Sequence, residues 1–394
     1  MPKIRLTHFF LFFLLLFAGA MPFSIAVTQN ALFLAFVFWI WHSVREKKKP
    51  FPRTPLDRLF IAYLAVGLVS TLFSPNRYES LVHLTKRILL IPIVYLIAGS
   101  VQSKKRLGWI LLSLVGVMVV VALIGIRKYL SGIGGLEGRL SLFHHYMTSG
   151  GILMVIGLTA IAFVFVRAPF RLRVAALACG SLILLPLVFT FTRSSWLGFM
   201  AGLTVMVLFK NWKWIFALVP LLAVVFLLAP PALQDRLGSI FNPYHPNNVE
   251  RTYMWKAGIR MIQDRPLTGY GDIDLGKQYE KYRPAEAKER SGHMHNNFIM
   301  LGATLGIPGL LVLIGLFARI AVVEWNVLRS VPQREWLLQG TALGCFASFA
   351  GFQINGLFEW NFGDAEIAML LWLTVGMALS VKRLSAAPGT AGGE

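Results

Sequence analysis

Twelve apolar runs dominate this chain, most of them long enough to cross about 30 Å of hydrocarbon. They fall at 8–26, 28–44, 57–74, 87–102, 107–129, 145–166, 174–191, 195–209, 214–230, 297–323, 337–356 and 364–381. Backbone amides have no water to bond inside a bilayer, so a spanning segment must be a helix or a strand of a closed barrel. Runs this long and continuous read as helices. The expected fold is therefore an all-α polytopic membrane protein with about 12 spans. Nine spans lie in residues 1–230, a large loop in 231–296, three spans in 297–381 and a tail in 382–394. The first run follows Lys3 and Arg5 and ends in Ala18-Gly19-Ala20, like a signal peptide. Eleven further spans follow it, so it reads as an uncleaved helix.

Charge settles the direction. The chain is 56% hydrophobic and 14% charged, with 38 Lys+Arg against 18 Asp+Glu, net +20. A soluble chain is about 25% charged. The basic residues are dispersed between apolar runs instead of forming the patch that nucleic acid would need. With the N-terminus in the cytoplasm, 21 of them fall in cytoplasmic segments and seven in short outer segments. The other ten lie in the 231–296 loop, which is too long to obey the positive-inside rule. Most of the basic excess is thus topology. Both termini are expected in the cytoplasm. Cys179 and Cys345 sit within apolar runs and give neither a disulfide framework nor metal-ligand spacing.

The outer loop has room for chemistry. Within it, 251–265 reads as a short amphipathic helix on the membrane surface, with Met254, Trp255, Ile259 and Ile262 on one face and Lys256 and Arg260 off it. Pro266 ends that helix. Gly269 and Gly271 then make a turn through which backbone could closely approach a ligand. The loop closes on His293 and His295. With the two histidines two apart and no acidic or thiol cluster beside them, metal binding is not expected. Interfacial polarity or a general base remain as readings. Arg193 stands almost without a loop between two apolar runs. An arginine at that depth is costly and marks a site unless it snorkels to the surface. The fixed cations Arg193, Arg251 and Arg265 suit a diphosphate, which guanidinium forks hold by bidentate bonds. That inventory fits a membrane enzyme acting on a lipid diphosphate.

At these residues the sequence resembles the O-antigen ligase family of the bacterial envelope. One family signature is Arg, three residues, Leu, met by Arg193-Ser194-Ser195-Trp196-Leu197. The other is His with Asn, nine residues, then Gly-x-x-Gly, met by His295-Asn296 and Gly306 to Gly309. Arg251 to Trp255 and Pro266 to Gly271 also resemble the family's loop pattern. The resemblance spans roughly 185–380, while the first six spans match only in hydropathy.

It implies an inner-membrane, multi-span glycosyltransferase of the GT-C-like class. Such an enzyme moves a glycan from undecaprenyl diphosphate to a sugar hydroxyl of the lipid A core, at the periplasmic face, without metal or cofactor. His295, Arg193 and Arg251 are then the expected catalytic residues, with His295 as base and the arginines on the diphosphate. Arg265, Trp196, Asn296, Gly269, Gly271 and His293 are the expected substrate contacts, His293 ranking below His295. Gly306 and Gly309 are expected to serve packing or a turn. An O-antigen polymerase extending lipid-linked glycan would use the same chemistry. A lipid or polysaccharide transporter would need ionisable residues within several spans, and these are scarce. The polar group Asn355, Glu359, Asn361, Asp364 and Glu366 falls at an outer turn. It reads either as a solvated turn or as a cover over the site.

Overall fold

The computed structural model describes residues 6–47, 49–132, 135–136, 138–228, 230–290 and 292–386. Lys3, Arg5, Lys48 and the chain beyond Ala386, all used in the charge count, lie outside them. Every predicted span is helical. In chain order the helices are α1 (Leu6–Ala20), α2 (Ile25–Arg45), α3 (Asp57–Leu72), α4 (Arg77–Ile88) and α5 (Pro92–Ser100). Then come α6 (Lys104–Leu130), α7 (Tyr146–Ile161), α8 (Phe170–Phe189), α9 (Arg193–Lys210) and α10 (Ile215–Leu228). The loop holds α11 (Pro231–Gly238), α12 (Pro246–Asp264) and α13 (Gly276–Tyr282). Three long helices follow: α14 (Asn297–Ser330), α15 (Trp336–Gly356) and α16 (Ala365–Ala386). Eight helical segments among the described residues are long and apolar enough to cross a membrane. The remaining predicted spans, α1, α3, α9 and α10, are shorter or less apolar. The chain is an all-α, multi-pass membrane protein.

Several starts follow from local chemistry. Ser24, Asn76, Ser103 and Asn296 each accept a backbone N–H of the first turn of α2, α4, α6 and α14. Pro92 opens α5 at a position where its missing N–H costs nothing. It therefore divides the predicted fourth span from the amphipathic α4 before it.

Burial sorts the helices. α16 and the span Tyr146–Val164 are interior, with 83% and 78% of their windows buried, whereas α2 and α8 reach only 28%. Phe12, Phe33, Leu112 and Phe170 point outward, as lipid requires. α9 and α15 meet backbone to backbone. A Cβ on Gly198 would stand 2.6 Å from the Gly351 carbonyl, and one on Gly202 would stand 2.8 Å from that of Ala347. Small residues allow this approach where helices cannot use the hydrophobic effect against each other. The contact brings Arg193, at the start of α9, beside the end of α15.

Segments assigned to one face of the membrane meet one another. At one end Lys104 and Glu335 form an ion pair at 2.6 Å, and Arg383 bonds the Val101 carbonyl. At the other, the α8–α9 turn, the 231–296 loop and the α15–α16 turn converge. That loop builds its own small core around Met254, Met261, Ile273, Leu275, Tyr279 and Met294, seated on Met300 and Ala303 of α14. α12 forms where expected but with another face inward. Met254, Ala257, Gly258 and Met261 are buried, while Ile259 is 47% exposed. The inward face follows α14 and the loop core, not a bilayer surface.

α14 is kinked at Gly306 (φ 71°, ψ −177°), a conformation open essentially to glycine alone. Pro308 supplies no N–H to the Thr304 carbonyl, which accepts instead from Gly271 N at 2.8 Å and from Ser70 Oγ at 2.7 Å. Tyr270 N bonds Ala303 O at 2.9 Å, and Ile307 N returns to Pro266 O at 2.7 Å. The turn 266–271 is thus clamped onto the kink.

Candidate active site

The α15–α16 turn carries Glu359, only 8% exposed. Its Oε1 bonds His295 Nδ1 at 2.8 Å and accepts from Trp360 N at 3.1 Å. Arg251 Nη2 of α12 stands 3.6 Å from Oε2, and His293 Nε2 is 4.0 Å from Oε1. The two histidine rings lie against each other, centroids 4.2 Å apart. Burial alone would raise the Glu359 carboxyl. The charge and hydrogen bond of His295, with Arg251 and His293, hold it down at about 2. Burial and the neighbouring His295 push His293 down to about 4. Glu359 is therefore a carboxylate at neutral pH. It takes Nδ1–H from His295 and leaves Nε2 as the basic atom.

His295 sits in the left-handed backbone region (φ 44°), uncommon for a residue that carries a Cβ. Asn296 holds it there. Its side chain caps Phe298 N and Ile299 N at 2.9 and 3.0 Å and donates to the Leu357 carbonyl at 2.8 Å. A conformation of this sort persists only where the surroundings over-determine it.

Arg193 is buried, and its Nη1 donates to Ser239 O and Oγ at 2.8 and 3.0 Å. The short α8–α9 turn that presents it has Phe191 in the left-handed region too (φ 50°). Arg236, Arg251 and Arg139 all face Arg193 with like charge. Arg193 and Arg251 line one cavity of ≈ 240 Å³ together with Ser194, Trp255 and Phe358. In that lining Ser194 Oγ and Trp255 Nε1 are buried without a hydrogen-bond partner among the described residues. Buried polar groups are nearly always satisfied. Two guanidiniums and two unmatched donors around one cavity describe a site for an oxyanion-rich ligand.

A buried amide relay ties the two halves. Asn297 Nδ2 donates to Asn361 Oδ1, Asn361 Nδ2 to Asn355 Oδ1 at 2.7 Å, and Asn355 Nδ2 to Ser195 Oγ at 3.1 Å. It runs from the residue after Asn296 to the second residue after Arg193.

The structure thus brings together His295, His293, Arg251 and Arg193. The other predicted contacts lie elsewhere or are already engaged. Trp196 spends its indole N–H on the Leu187 carbonyl at 2.9 Å, locking α9 to α8. Arg265 bonds the Phe73 carbonyl and stacks on Tyr270, 4.5 Å from the ring centroid. A Cβ on Gly269 or Gly271 would strike Thr304 O or Ser74 Oγ, so those glycines serve close packing on the kink rather than a ligand. Asn296 is a cap and a tether.

Glu359 was visible in the sequence only as one member of a polar turn. Its burial rules out the solvated reading of that position. It also supplies the carboxylate that the two histidines lack in sequence. His293, His295 and Glu359 present ligand atoms within 4.8 Å of one another, a set able to hold a metal ion. His295 and Trp360 N bond Glu359 Oε1, while the buried Oε2 faces Arg251 at 3.6 Å and has no hydrogen-bond partner among the described residues, so a cation at this set would compete with Arg251.

Residues 178–314 match the family model described as O-antigen ligase, a stretch holding Arg193, Arg251 and His295 but ending before Glu359. A Rickettsia conorii protein provisionally named a polysaccharide ligase is 22% identical over 359 residues, covering 87% of this chain and 84% of its own length. With Arg193 and His295 of the two signatures brought to one site, these matches liken the chain to the O-antigen ligase family.

Proposed function

We propose that the protein transfers a glycan from undecaprenyl diphosphate to a sugar hydroxyl of the lipid A core, at the periplasmic face of the bacterial inner membrane. The observation that carries this reading is the cavity in which Arg193, Arg251, Ser194 Oγ and Trp255 Nε1 converge beside the His295–Glu359 pair. The arginines hold the diphosphate and offset the charge that grows on it as it leaves. The acceptor oxygen attacks the anomeric carbon, and the bond from that carbon to the diphosphate oxygen breaks. Its electron pair departs with the lipid diphosphate. The acceptor proton passes to His295 Nε2, and Glu359 stabilises the imidazolium. A single displacement inverts the anomeric centre. No metal is needed, because guanidiniums supply the positive charge.

The test uses purified protein with lipid-linked glycan and lipid A core. Transfer to the core is expected to persist in EDTA and to vanish in His295→Ala. Full transfer by His295→Ala would remove the base. Loss of activity in EDTA, restored by a divalent cation, would make His293, His295 and Glu359 a metal centre instead. Extension of lipid-linked glycan with no transfer to the core would identify a polymerase.

A further inference from the structure

The α15–α16 turn divides two cavities. Phe358 lines the one that holds Arg193 and Arg251, and Trp360 lines another of ≈ 320 Å³. Glu359 stands between them in sequence and in contacts. It approaches Arg251 of the first cavity and His293 of the second. The second cavity is chemically unlike the first. Its floor is an ion pair in which Arg87 Nη2 meets Asp272 Oδ1 at 2.9 Å, and the same guanidinium lies 4.8 Å from the centre of the Trp360 ring. Lys86 and Asp274, both exposed, stand at its edge. Lys86 pairs with no carboxylate among the described residues.

We infer that this second cavity is the acceptor subsite and takes a hydroxyl-rich sugar residue bearing an anionic substituent. The inference rests on the transfer reading above. In a direct displacement the nucleophile must arrive from the side opposite the leaving group, with the base beside it. A diphosphate held by Arg193 and Arg251 fills the cavity on the Phe358 side of the turn. The second cavity, whose His293 approaches the Glu359 oxygen that His295 bonds, stands on the Trp360 side. Its lining suits the class: the Trp360 indole as an aromatic wall on the side that Arg87 does not cover, the exposed Asp274 carboxylate for hydroxyls, and Lys86 for negative charge.

Steady-state transfer by the full-length protein, with donor and acceptor varied separately, tests this. Lys86→Ala and Asp274→Asn change exposed residues, and the asparagine retains the oxygen that accepts Gly276 N. Each is expected to raise KM for the acceptor about tenfold, the worth of a hydrogen bond to a charged group. KM for the donor should stay within about twofold. An unchanged acceptor KM in both variants, or a raised donor KM, would overturn the assignment. A wild-type protein that transfers to no acceptor would instead defeat the reading of the function, so the two failures are distinguishable.

Discussion

Replacing Glu359 by glutamine removes one charge and little else. The amide oxygen can still accept from His295 Nδ1, and the volume is unchanged. What disappears is the carboxylate that stabilises a protonated His295. Its size follows from the site. Although burial opposes ionisation, the carboxyl is drawn from its ordinary 4.5 to about 2, chiefly by His295 and then by Arg251 and His293. At 1.36 kcal/mol for each tenfold, the charged form is favoured by about 3 kcal/mol. Because the carboxyl lies well below neutrality, the carboxylate is fully present in any assay near pH 7. That contribution is lost only as pH falls from about 4.5 toward 2. Were that energy all directed at the imidazolium forming on His295, transfer would slow about 10²-fold. The loss should appear in kcat, with donor KM little changed, because the diphosphate meets Arg193 and Arg251 and not Glu359. The assay is single-turnover transfer by detergent-purified protein, with thermal unfolding as the control for folding. A Glu359→Gln protein that melts like wild type and transfers within about threefold of its rate would refute the charge argument.

Three further outcomes follow from the same geometry. Arg193→Lys keeps the charge but loses the fork that spans Ser239 and the cavity, so donor KM should rise about tenfold in donor titrations. Gly306→Ala should cost about 1–3 kcal/mol and lower the melting temperature, because its φ of 71° with ψ of −177° excludes a Cβ, which would also meet Leu267 C at 2.7 Å. The same change should expose the 266–271 turn to protease. His293 is neutral in the fold, with its proton affinity pushed down to about 4, whereas the unfolded chain binds that proton near 6.5. The unfolded state therefore gains protons first as pH falls, and stability should decline from pH 6.5 toward 4. His293→Gln should flatten that decline in a melting-temperature series. An equal slope in both proteins would locate the sensitivity elsewhere.

Much of the site was legible in order but not in partnership. Arg193 and His295 announce themselves, one as a cation at membrane depth and the other at a span boundary. Arg251 is legible as one of many cations in the loop. The glycines mislead for a definite reason. A positive φ looks the same in sequence whether the turn cradles a ligand or packs on a helix kink, and only the position of Thr304 O tells them apart. Trp196 misleads likewise, because its signature neighbours Arg193 while its indole faces α8. Periodicity alone points Met254, Trp255, Ile259 and Ile262 of α12 toward a bilayer, whereas the surface that buries the helix is α14 and the loop core, which takes Met254, Ala257, Gly258 and Met261.

Spans, helical class and the parity of the loops came from sequence alone. Transfer of side chains into hydrocarbon is a local and nearly additive free energy, and the backbone has few ways to satisfy itself there. The pairing of His295 with Glu359, 64 residues apart, belongs to the tertiary structure. It depends on which loop ends meet when α9 closes on α15 and the kinked α14 receives the 266–271 turn. Those contacts are set by glycine-to-backbone packing across helices, an interaction between distant segments that no single stretch of sequence displays. That packing turns a polar turn residue into the buried carboxylate on which His295 is oriented.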